Sequence, residues 1–264
     1  MRLAICTRLD AVGSSLDASG NVQLAADKTF GRYKKEDSYT VRQADVQEQT
    51  PLEQLRKRRD MLRSMNGEKA AHLIKFYKAS TFFEALALAK KEGKIIVPTF
   101  VHDRILKETT DKNLARQYKQ NIFTGTLIIY EAPDKPFGEQ LVFKEITFKI
   151  PEQFRGLRNC ALVVEHPDFE LVDSGNNKFE LELVDGASVH LIEQFPKKYG
   201  WHKYGKETGV PYGRKLEESL IPRRLWRENN PYICPMVCGF DGFHVRWRFG
   251  EYDWNHFEFV VLLF

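Results

Sequence analysis

One short segment places an imidazole between two carboxylates, directly after a predicted strand: Glu165, His166, Pro167 and Asp168. A histidine beside a carboxylate can act as a general base in proton transfer. No serine or cysteine in a nucleophile context accompanies it, and proline followed by aspartate also favours a solvated turn. An enzyme of unknown class centred on His166 is therefore one alternative for the function, and an exposed turn is the competing interpretation.

Arginine side chains form the densest positive clusters of the chain. Three of them, Arg56, Arg59 and Arg63, fall on one face of a predicted helix. A second cluster consists of Arg223, Arg224 and Arg227. Clustered arginines can bind phosphates, so a nucleic-acid-binding protein is another alternative. Acidic residues between 53 and 68 dilute the first cluster, and such a run is often only the solvated face of a helix.

Aromatic side chains are concentrated near the end of the chain. Residues 231–264 hold 10 aromatic residues, whereas aromatics make up 12% of the whole sequence. Glycines interrupt this segment and no period of 2 or 3.6 runs through 239–256, so one buried face cannot accommodate every ring. Aromatic side chains mixed with Arg, His, Asp and Asn on such loops are typical of binding surfaces. The alternative is a packed core strand with its edge loops.

We therefore predict a ligand-binding surface in this segment, with a protein or a glycan as the ligand. Its predicted residues are Phe240, Phe243, His244, Arg246, Trp247, Arg248, Tyr252, Asp253, Trp254, Asn255 and His256. No catalytic residues and no cofactor are predicted for this surface. The sequence indicates neither the identity of the ligand nor the oligomeric state.

The cysteines do not form a disulfide scaffold, because the chain has only 4 of them in 264 residues. Cys160 lies in an apolar run and is predicted to be a core residue. Cys234 and Cys238 are four apart, but His244 and His256 are too far apart to complete a zinc-finger pattern. Buried thiols are the main prediction for this pair, and a zinc site is the alternative.

The composition is that of an ordinary globular protein, with 42% hydrophobic and 29% charged residues. These values exclude a collagen, a coiled-coil rod and a wholly disordered chain. No run of about 18 apolar residues is present, so no membrane span is predicted. The first residues lack the pattern of a secretory signal, and a cytoplasmic location is expected. The net charge of +4 is too small to require a nucleic-acid partner.

Helix-capping signals begin at residue 50. Thr50, Pro51 and Glu53 form a capping box with proline at the first helical position, which predicts a helix that ends near Gly67. The apolar residues that follow predict a second helix over 68–78.

A second capping signal follows at Thr81, with Glu three residues later. The helix that it begins is predicted to end at Gly93. Residues 95–97 then predict a short buried strand, and Thr99 is expected to cap a fourth helix.

The rest of the chain is predicted to be rich in strands. Strands are predicted at 126–131, 141–150, 160–165, 179–184, 187–192 and 257–264. The alternation in 141–150 slips once near Glu145, which predicts a bulge. Asp185 and Gly186 predict a two-residue hairpin between the flanking strands.

Helices followed by antiparallel-type strands predict an α+β fold. Residues 1–49 are predicted to be a polar N-terminal extension or arm, and a few short strands of the main domain are the alternative. Residues 50–264 are predicted to form a single α+β domain that carries the aromatic-rich segment 231–264.

The stretch EALALAKKEGKIIVPT, residues 84–99, resembles the A-x₃-A … G-K … P-T stretch of C-type-lectin-like domains of the formylglycine-enzyme type. It departs from that pattern because three residues separate Lys94 from Pro98, where the family usually has two, and Phe100 replaces the expected Glu. The formylglycine catalytic cysteine pattern is not recognisable, so that enzyme activity is not implied. In the variable proteins of diversity-generating retroelements, this fold presents its ligand face near the C-terminus. Residues 232–256 resemble the residue types found at their variable sites, which implies a C-type-lectin-like, non-enzymatic variable binding protein.

Overall fold

A computed structural model describes residues 15–16, 22–23, 49–117, 121–197, 200–204, 211–212, 223–225, 230–239, 242–245 and 259–264. The chain divides into two units, Met1–Gln47 and Glu48–Phe264. In the first unit, β1 (Ser15–Leu16) and β2 (Val22–Gln23) pair in antiparallel fashion. Within these described ranges, no helix is long and apolar enough to cross a membrane.

The helices lie in the first part of the second unit, as predicted. They are α1 (Pro51–Ser64), α2 (Gly67–Leu73), α3 (Phe82–Glu92), α4 (Thr99–Glu108) and α5 (Lys112–Gln117). The capping box of α1 is present, because Thr50 Oγ1 accepts the Glu53 N–H and Glu53 Oε2 accepts the Thr50 N–H. Thr81 caps α3 because its Oγ1 accepts the Glu84 N–H, while Glu84 Oε2 accepts the N–H of Ser80, and Gly93 ends the helix in the left-handed conformation at φ 58°.

Three predictions for this region are wrong, each because of a contact distant in sequence. Gly67 begins α2 instead of ending α1, and a side chain there would collide with the carbonyl oxygen of Arg104 in α4. The predicted second helix stops at Leu73, because the following residues pair with the last strand of the chain. Thr99 is the first residue of α4 and not its cap, and its hydroxyl bonds that of Thr124 at 2.7 Å.

Strands make up most of the remaining structure. They are β3 (Lys75–Lys78), β4 (Asn121–Tyr130), β5 (Gln140–Phe143), β6 (Ile146–Lys149), β7 (Ala161–Glu165), β8 (Phe169–Gly175), β9 (Lys178–Leu183), β10 (Val189–Ile192), β11 (Gly200–Tyr204), β12 (Pro211–Tyr212), β13 (Arg223–Leu225), β14 (Tyr232–Gly239), β15 (Gly242–Val245) and β16 (Phe259–Leu263). A ten-stranded sheet has the order β10-β7-β4-β14-β15-β13-β11-β12, with β16 pairing β3 and β4. A four-stranded sheet has the order β5-β6-β9-β8. The helices and the two largely antiparallel sheets confirm the predicted α+β class; the C-type-lectin-like part stays a prediction.

Two strand predictions need correction. The slip near Glu145 is a hairpin turn, not a bulge, because β5 ends at Phe143 and pairs antiparallel with β6. Asp185 and Gly186 do not connect a hairpin, because β9 belongs to the four-stranded sheet and β10 pairs with β7 in the large sheet. Turn-forming residues such as these predict that the chain reverses direction, but they do not determine which strands pair.

The core joins the helices to both sheets. The buried face of α3 carries Phe82, Ala85 and Ala89, which is the spacing of one helical face. The ring of Phe82 lies 5.7 Å from that of Phe123 in β4 and 6.3 Å from that of Phe169 in β8. This helix is therefore anchored to both sheets at the point where β7 leads into β8.

Residues 95–97 pass very close to β4. A Cβ at Gly125 would collide with the carbonyl oxygen of Ile96, so only glycine permits this approach. The Gly125 N–H donates to Val97 O at 2.8 Å, and the His166 N–H donates to Gly125 O at 2.8 Å. The predicted strand at 95–97 is buried and forms one bridge, from Ile96 to Leu263 of β16.

Candidate functional site

The segment between β7 and β8 is buried, contrary to the solvated turn that the sequence favoured. Glu165 is 1% exposed, His166 8% and Asp168 0%, and the His166–Pro167 peptide bond is cis. The turn is covered because the arginine face of α1 packs on one side of it and residues 95–97 approach His166. Polar groups in such a position need partners within the protein.

Asp168 receives hydrogen bonds from two arginines of α1. Its Oδ1 accepts from Arg56 Nε at 2.7 Å, and its Oδ2 accepts from Arg59 Nη1 at 2.7 Å. The Ser188 N–H adds a third bond to Oδ2 at 3.0 Å. Burial alone would raise the pKa of Asp168, but these donors hold it below its ordinary value.

Glu165 lies at the other end of the turn and has fewer donors. Its Oε2 accepts from Arg63 Nη2 at 2.6 Å, and among the described residues its Oε1 has no hydrogen-bond partner. Burial raises the pKa of Glu165 to about 7, although the charges of Arg63 and Arg59 act in the opposite direction. This carboxyl is therefore partly protonated near neutral pH.

The three arginines of α1 share one face, as predicted, but this face is turned toward the protein. Arg59 is 7% exposed, and Arg56, Arg59 and Arg63 all pair with buried carboxylates. These pairs would have to break before the same guanidinium groups could bind phosphates. Of the second cluster, Arg223 and Arg224 lie in β13 with side chains that are not described, and Arg227 lies outside the described residues.

The ring of His166 is held in one tautomer by its contact with residues 95–97. The Ile96 N–H donates to His166 Nδ1 at 3.3 Å, so Nδ1 is the acceptor and the proton is on Nε2. Within the part of the chain that the structure describes, Nε2 has no hydrogen-bond partner. Burial, together with the charge of Arg59, lowers the pKa of His166 to about 4, so the ring is neutral at pH 7.

A cavity of about 620 Å³ lies beside His166. Its walls come from the start of α1, from α3, and from the turn and first residues of β8. Most of the lining side chains are apolar, among them Leu52, Leu55, Phe83, Leu86, Pro167 and Leu171. Among the described residues that line the cavity, the polar side chains of Thr50, Lys90 and Glu170 are exposed and that of Lys94 is half-buried, which leaves His166 as the buried polar group.

Most of the predicted C-terminal binding surface cannot be placed. Phe240 and residues 246–256 lie outside the described residues, so Arg246, Trp247, Arg248, Tyr252, Asp253, Trp254, Asn255 and His256 stay predictions. Phe243 and His244 lie in β15 of the large sheet, with side chains that are not described.

The predicted buried thiols are confirmed for Cys160, Cys234 and Cys238. Burial raises the pKa of the Cys234 thiol well above its ordinary value. Cys234 is therefore a poor nucleophile, and the three buried side chains pack as small apolar groups.

The two parts of this site, the arginine face of α1 and the charged turn, were identified from the sequence, but the contact between them was not. The arginine face of α1 and the charged turn were each recognised, although about a hundred residues separate Arg63 from Glu165. The available signal for their pairing was three arginines on one face of α1 and two carboxylates in the turn after a strand. The cavity left no local signal, because its walls come from three elements that are distant in sequence.

Comparisons with protein-family models, with curated proteins and with solved structures give no match to this chain.

Proposed function

We propose that this protein is a ligand-binding protein, and that the cavity beside His166 takes a small, mainly apolar molecule. The observation that carries the proposal is the cavity itself, with apolar walls and one buried polar side chain. Its volume of about 620 Å³ falls in the range of small-molecule sites, which is roughly 300–1,000 Å³. Apolar walls with few, fixed polar groups are the usual composition of such sites.

Binding is favoured over catalysis by the state of the histidine. A ring with a pKa of about 4 is a weak base near neutral pH and abstracts protons poorly. Its neutral Nε2–H can still donate a hydrogen bond. The site thus has the chemistry of a binding pocket more than that of an acid–base centre.

The cavity walls are held in place before a ligand arrives. The arginines of α1 fix this helix to the β7–β8 turn through Asp168 and Glu165. On the opposite wall, Phe82 fixes α3 against both sheets. A preformed site loses little conformational entropy when a ligand binds, which favours affinity.

The test uses N-phenyl-1-naphthylamine, a neutral apolar dye whose fluorescence rises in apolar surroundings. We expect saturable binding to the full-length protein and its loss in Ala87→Trp. Ala87 lines the cavity and is exposed, so the indole can fill the cavity without displacing core side chains. Lys91→Trp is the matched control, because Lys91 is an exposed residue of the same helix outside the lining. Unchanged dye affinity in a folded Ala87→Trp protein would show that this cavity is not the binding site.

We keep the C-terminal surface as a second proposal, with a protein or glycan ligand. It is supported by the 10 aromatic residues in 231–264 and by the strands β14, β15 and β16 of the large sheet, which precede and follow residues 246–258 in the sequence. Loops on a rigid sheet are a frequent location for binding residues. Trp247→Ala and Trp254→Ala should leave the melting temperature nearly unchanged, whereas a drop of many degrees would make these rings core residues.

The proposed relation to variable proteins has its own test. Natural copies of a gene diversified by a retroelement should differ mainly at codons 232–256, with a near-copy repeat of this segment nearby. Sequencing the end of the gene and its flanking DNA across a natural population measures this. An invariant end with no repeat would remove the proposal.

A further inference from the structure

We propose that the ligand of the cavity is an uncharged apolar molecule with a carbonyl oxygen, and that His166 Nε2–H donates a hydrogen bond to this oxygen. The inference rests on the proposed function, because it names the chemical class that the same cavity selects. Four features of His166 carry it: its fixed tautomer, its fixed ring, its neutrality and its position as the buried polar side chain of the lining.

The tautomer follows from the partner of Nδ1. A peptide N–H can only donate, so the bond from Ile96 requires a lone pair on Nδ1 and places the proton on Nε2. Among the described residues, no group accepts a hydrogen bond from this Nε2–H. Nε2 keeps some solvent accessibility at the cavity although His166 is only 8% exposed, so water can accept from it in the free protein and a ligand acceptor would replace that water.

The orientation of the ring is fixed by the backbone on both sides. The Ile96 amide is held in place because Ile95 N donates to Phe264 O at 3.1 Å and Gly125 N donates to Val97 O at 2.8 Å. His166 is anchored by its own N–H, which donates to Gly125 O at 2.8 Å. A donor held in this way is directional and can discriminate between ligands.

The neutrality of the ring decides against a charged ligand. With its pKa lowered to about 4, His166 offers a neutral donor and no positive charge at pH 7. A carboxylate would leave water for largely apolar walls whose buried donor is neutral, because the ammonium group of Lys90 lies at the exposed rim, and this transfer is unfavourable. The amine of Lys94 is already engaged, because its Nζ donates to Tyr77 Oη at 2.8 Å and lies 3.4 Å from Glu92 Oε2.

The remaining lining favours a carbonyl over a hydroxyl group. A carbonyl oxygen only accepts, so the His166 donor satisfies it. A hydroxyl group would also bring a donor of its own, and no buried acceptor side chain lines the described part of the cavity. Thr50 lies at the exposed rim, and its hydroxyl oxygen already accepts the Glu53 N–H.

The test compares ligands of one ring system by displacement of N-phenyl-1-naphthylamine. The ligands are 2-acetylnaphthalene, 2-ethylnaphthalene, 1-(2-naphthyl)ethanol and 2-naphthoate. We expect the ketone to bind about 5-fold more tightly than the hydrocarbon, since one hydrogen bond contributes about 1 kcal/mol net. The alcohol should lie between these two, and the carboxylate should bind most weakly.

Two substitutions separate the two nitrogens of His166. His166→Asn keeps an acceptor near the Nδ1 position for Ile96, and its shorter side chain places no donor at the Nε2 position, so the preference for the ketone should fall to about 1-fold. His166→Gln places an amide N–H near the Nε2 position and should restore part of it. A further measurement does not depend on the folding of a variant. In the NMR spectrum of the unmodified protein with ¹⁵N-labelled histidine, the Nε2–H signal should shift when the ketone is added and stay in place when the hydrocarbon is added.

The outcomes distinguish the two proposals. Equal affinity for ketone and hydrocarbon, a preference that survives in His166→Asn, or an unshifted Nε2–H signal would overturn the role of His166. Tightest binding of 2-naphthoate would overturn the uncharged ligand. In each of these cases the ligand-binding proposal stands, because the dye and the naphthalenes still bind. That proposal fails if the dye does not bind saturably to the full-length protein or if Ala87→Trp leaves dye affinity unchanged.

Discussion

The two ends of the turn between β7 and β8 meet the same helix but differ in their electrostatics. At one end Asp168 is buried against Arg56 and Arg59, and its pKa is lowered. At the other end Glu165 is buried against Arg63, and its pKa is raised to about 7. Both carboxyls are almost completely buried, and both face arginine side chains.

The difference lies in the number of donors that each carboxylate receives. Asp168 accepts three hydrogen bonds at its two oxygens, two of them from guanidinium groups. Glu165 accepts one, and among the residues described here its second oxygen accepts none. At this turn a nearby positive charge alone does not overcome the cost of burial. The pKa is lowered at the carboxyl whose two oxygens are both hydrogen-bonded and raised at the carboxyl with one bond.

The largest effect is expected for Asp168→Asn. This change leaves the buried Arg59 without its carboxylate, and breaking a buried pair typically costs about 3–5 kcal/mol. The free energy of unfolding, measured by urea denaturation at pH 7, should fall by that amount. Glu170→Gln is the control, because Glu170 is exposed two residues later and should change stability by less than about 0.5 kcal/mol. If Asp168→Asn lowered the free energy of unfolding as little as the control does, the proposed difference between the Asp168 and Glu165 ends of the turn would be wrong.

The features that could be predicted from the sequence were those decided by neighbours in the chain. Thr50 and Thr81 fixed two helix starts, because a cap needs only residues three positions away. Gly67 was misinterpreted as the end of α1. A glycine is needed there because a side chain would collide with the backbone of α4, about forty residues later. The hairpin expected at Asp185 and Gly186 failed because β10 finds its partner in β7 and not in β9.

The candidate site shows the same limit more strongly. The charged turn and the arginine face were recognised separately, and each was interpreted as solvated. Their burial depends on α1 lying against the turn, a contact that joins residues about a hundred positions apart. The tautomer of His166 depends on Ile96, which sequence patterning marks only as part of a buried strand.

The next largest effect is a dependence on pH that Glu165→Gln should abolish. The pKa of Glu165 is raised in the folded protein, so its contribution to stability is fully present below the unfolded pKa of about 4.5 and is lost as the pH rises through about 7. The free energy of unfolding of the original protein relative to Glu165→Gln should therefore fall by about 2–3 kcal/mol from pH 5 to pH 8, at about 1.4 kcal/mol per pKa unit.

The free energies of unfolding of the original protein and of Glu165→Gln are compared because His166 also titrates in this pH range. Its pKa is lowered to about 4, so its own contribution to stability rises between about pH 4 and pH 6.5, opposite in sense to that of Glu165. This contribution is present in both proteins and largely cancels in the comparison. A difference that does not change between pH 5 and pH 8 would mean that Glu165 is fully ionised, like Asp168.

The smallest effect is expected for Arg63→Gln. The Arg63 side chain is 36% exposed, and solvent screens its pair with Glu165, so the loss should be only about 1 kcal/mol at pH 8. At pH 5.5 Glu165 is protonated and the loss should be smaller, since Arg63 then keeps only a hydrogen bond to a neutral carboxyl and its contact with the Phe100 ring. In the Glu165→Gln protein the same substitution should show no pH dependence, as measured by urea denaturation at both pH values. If Arg63→Gln destabilised the protein as much as Asp168→Asn at both pH values, one guanidinium would stabilise a buried carboxylate as well as three donors do. That result would contradict the explanation of the two pKa values by the number of donors.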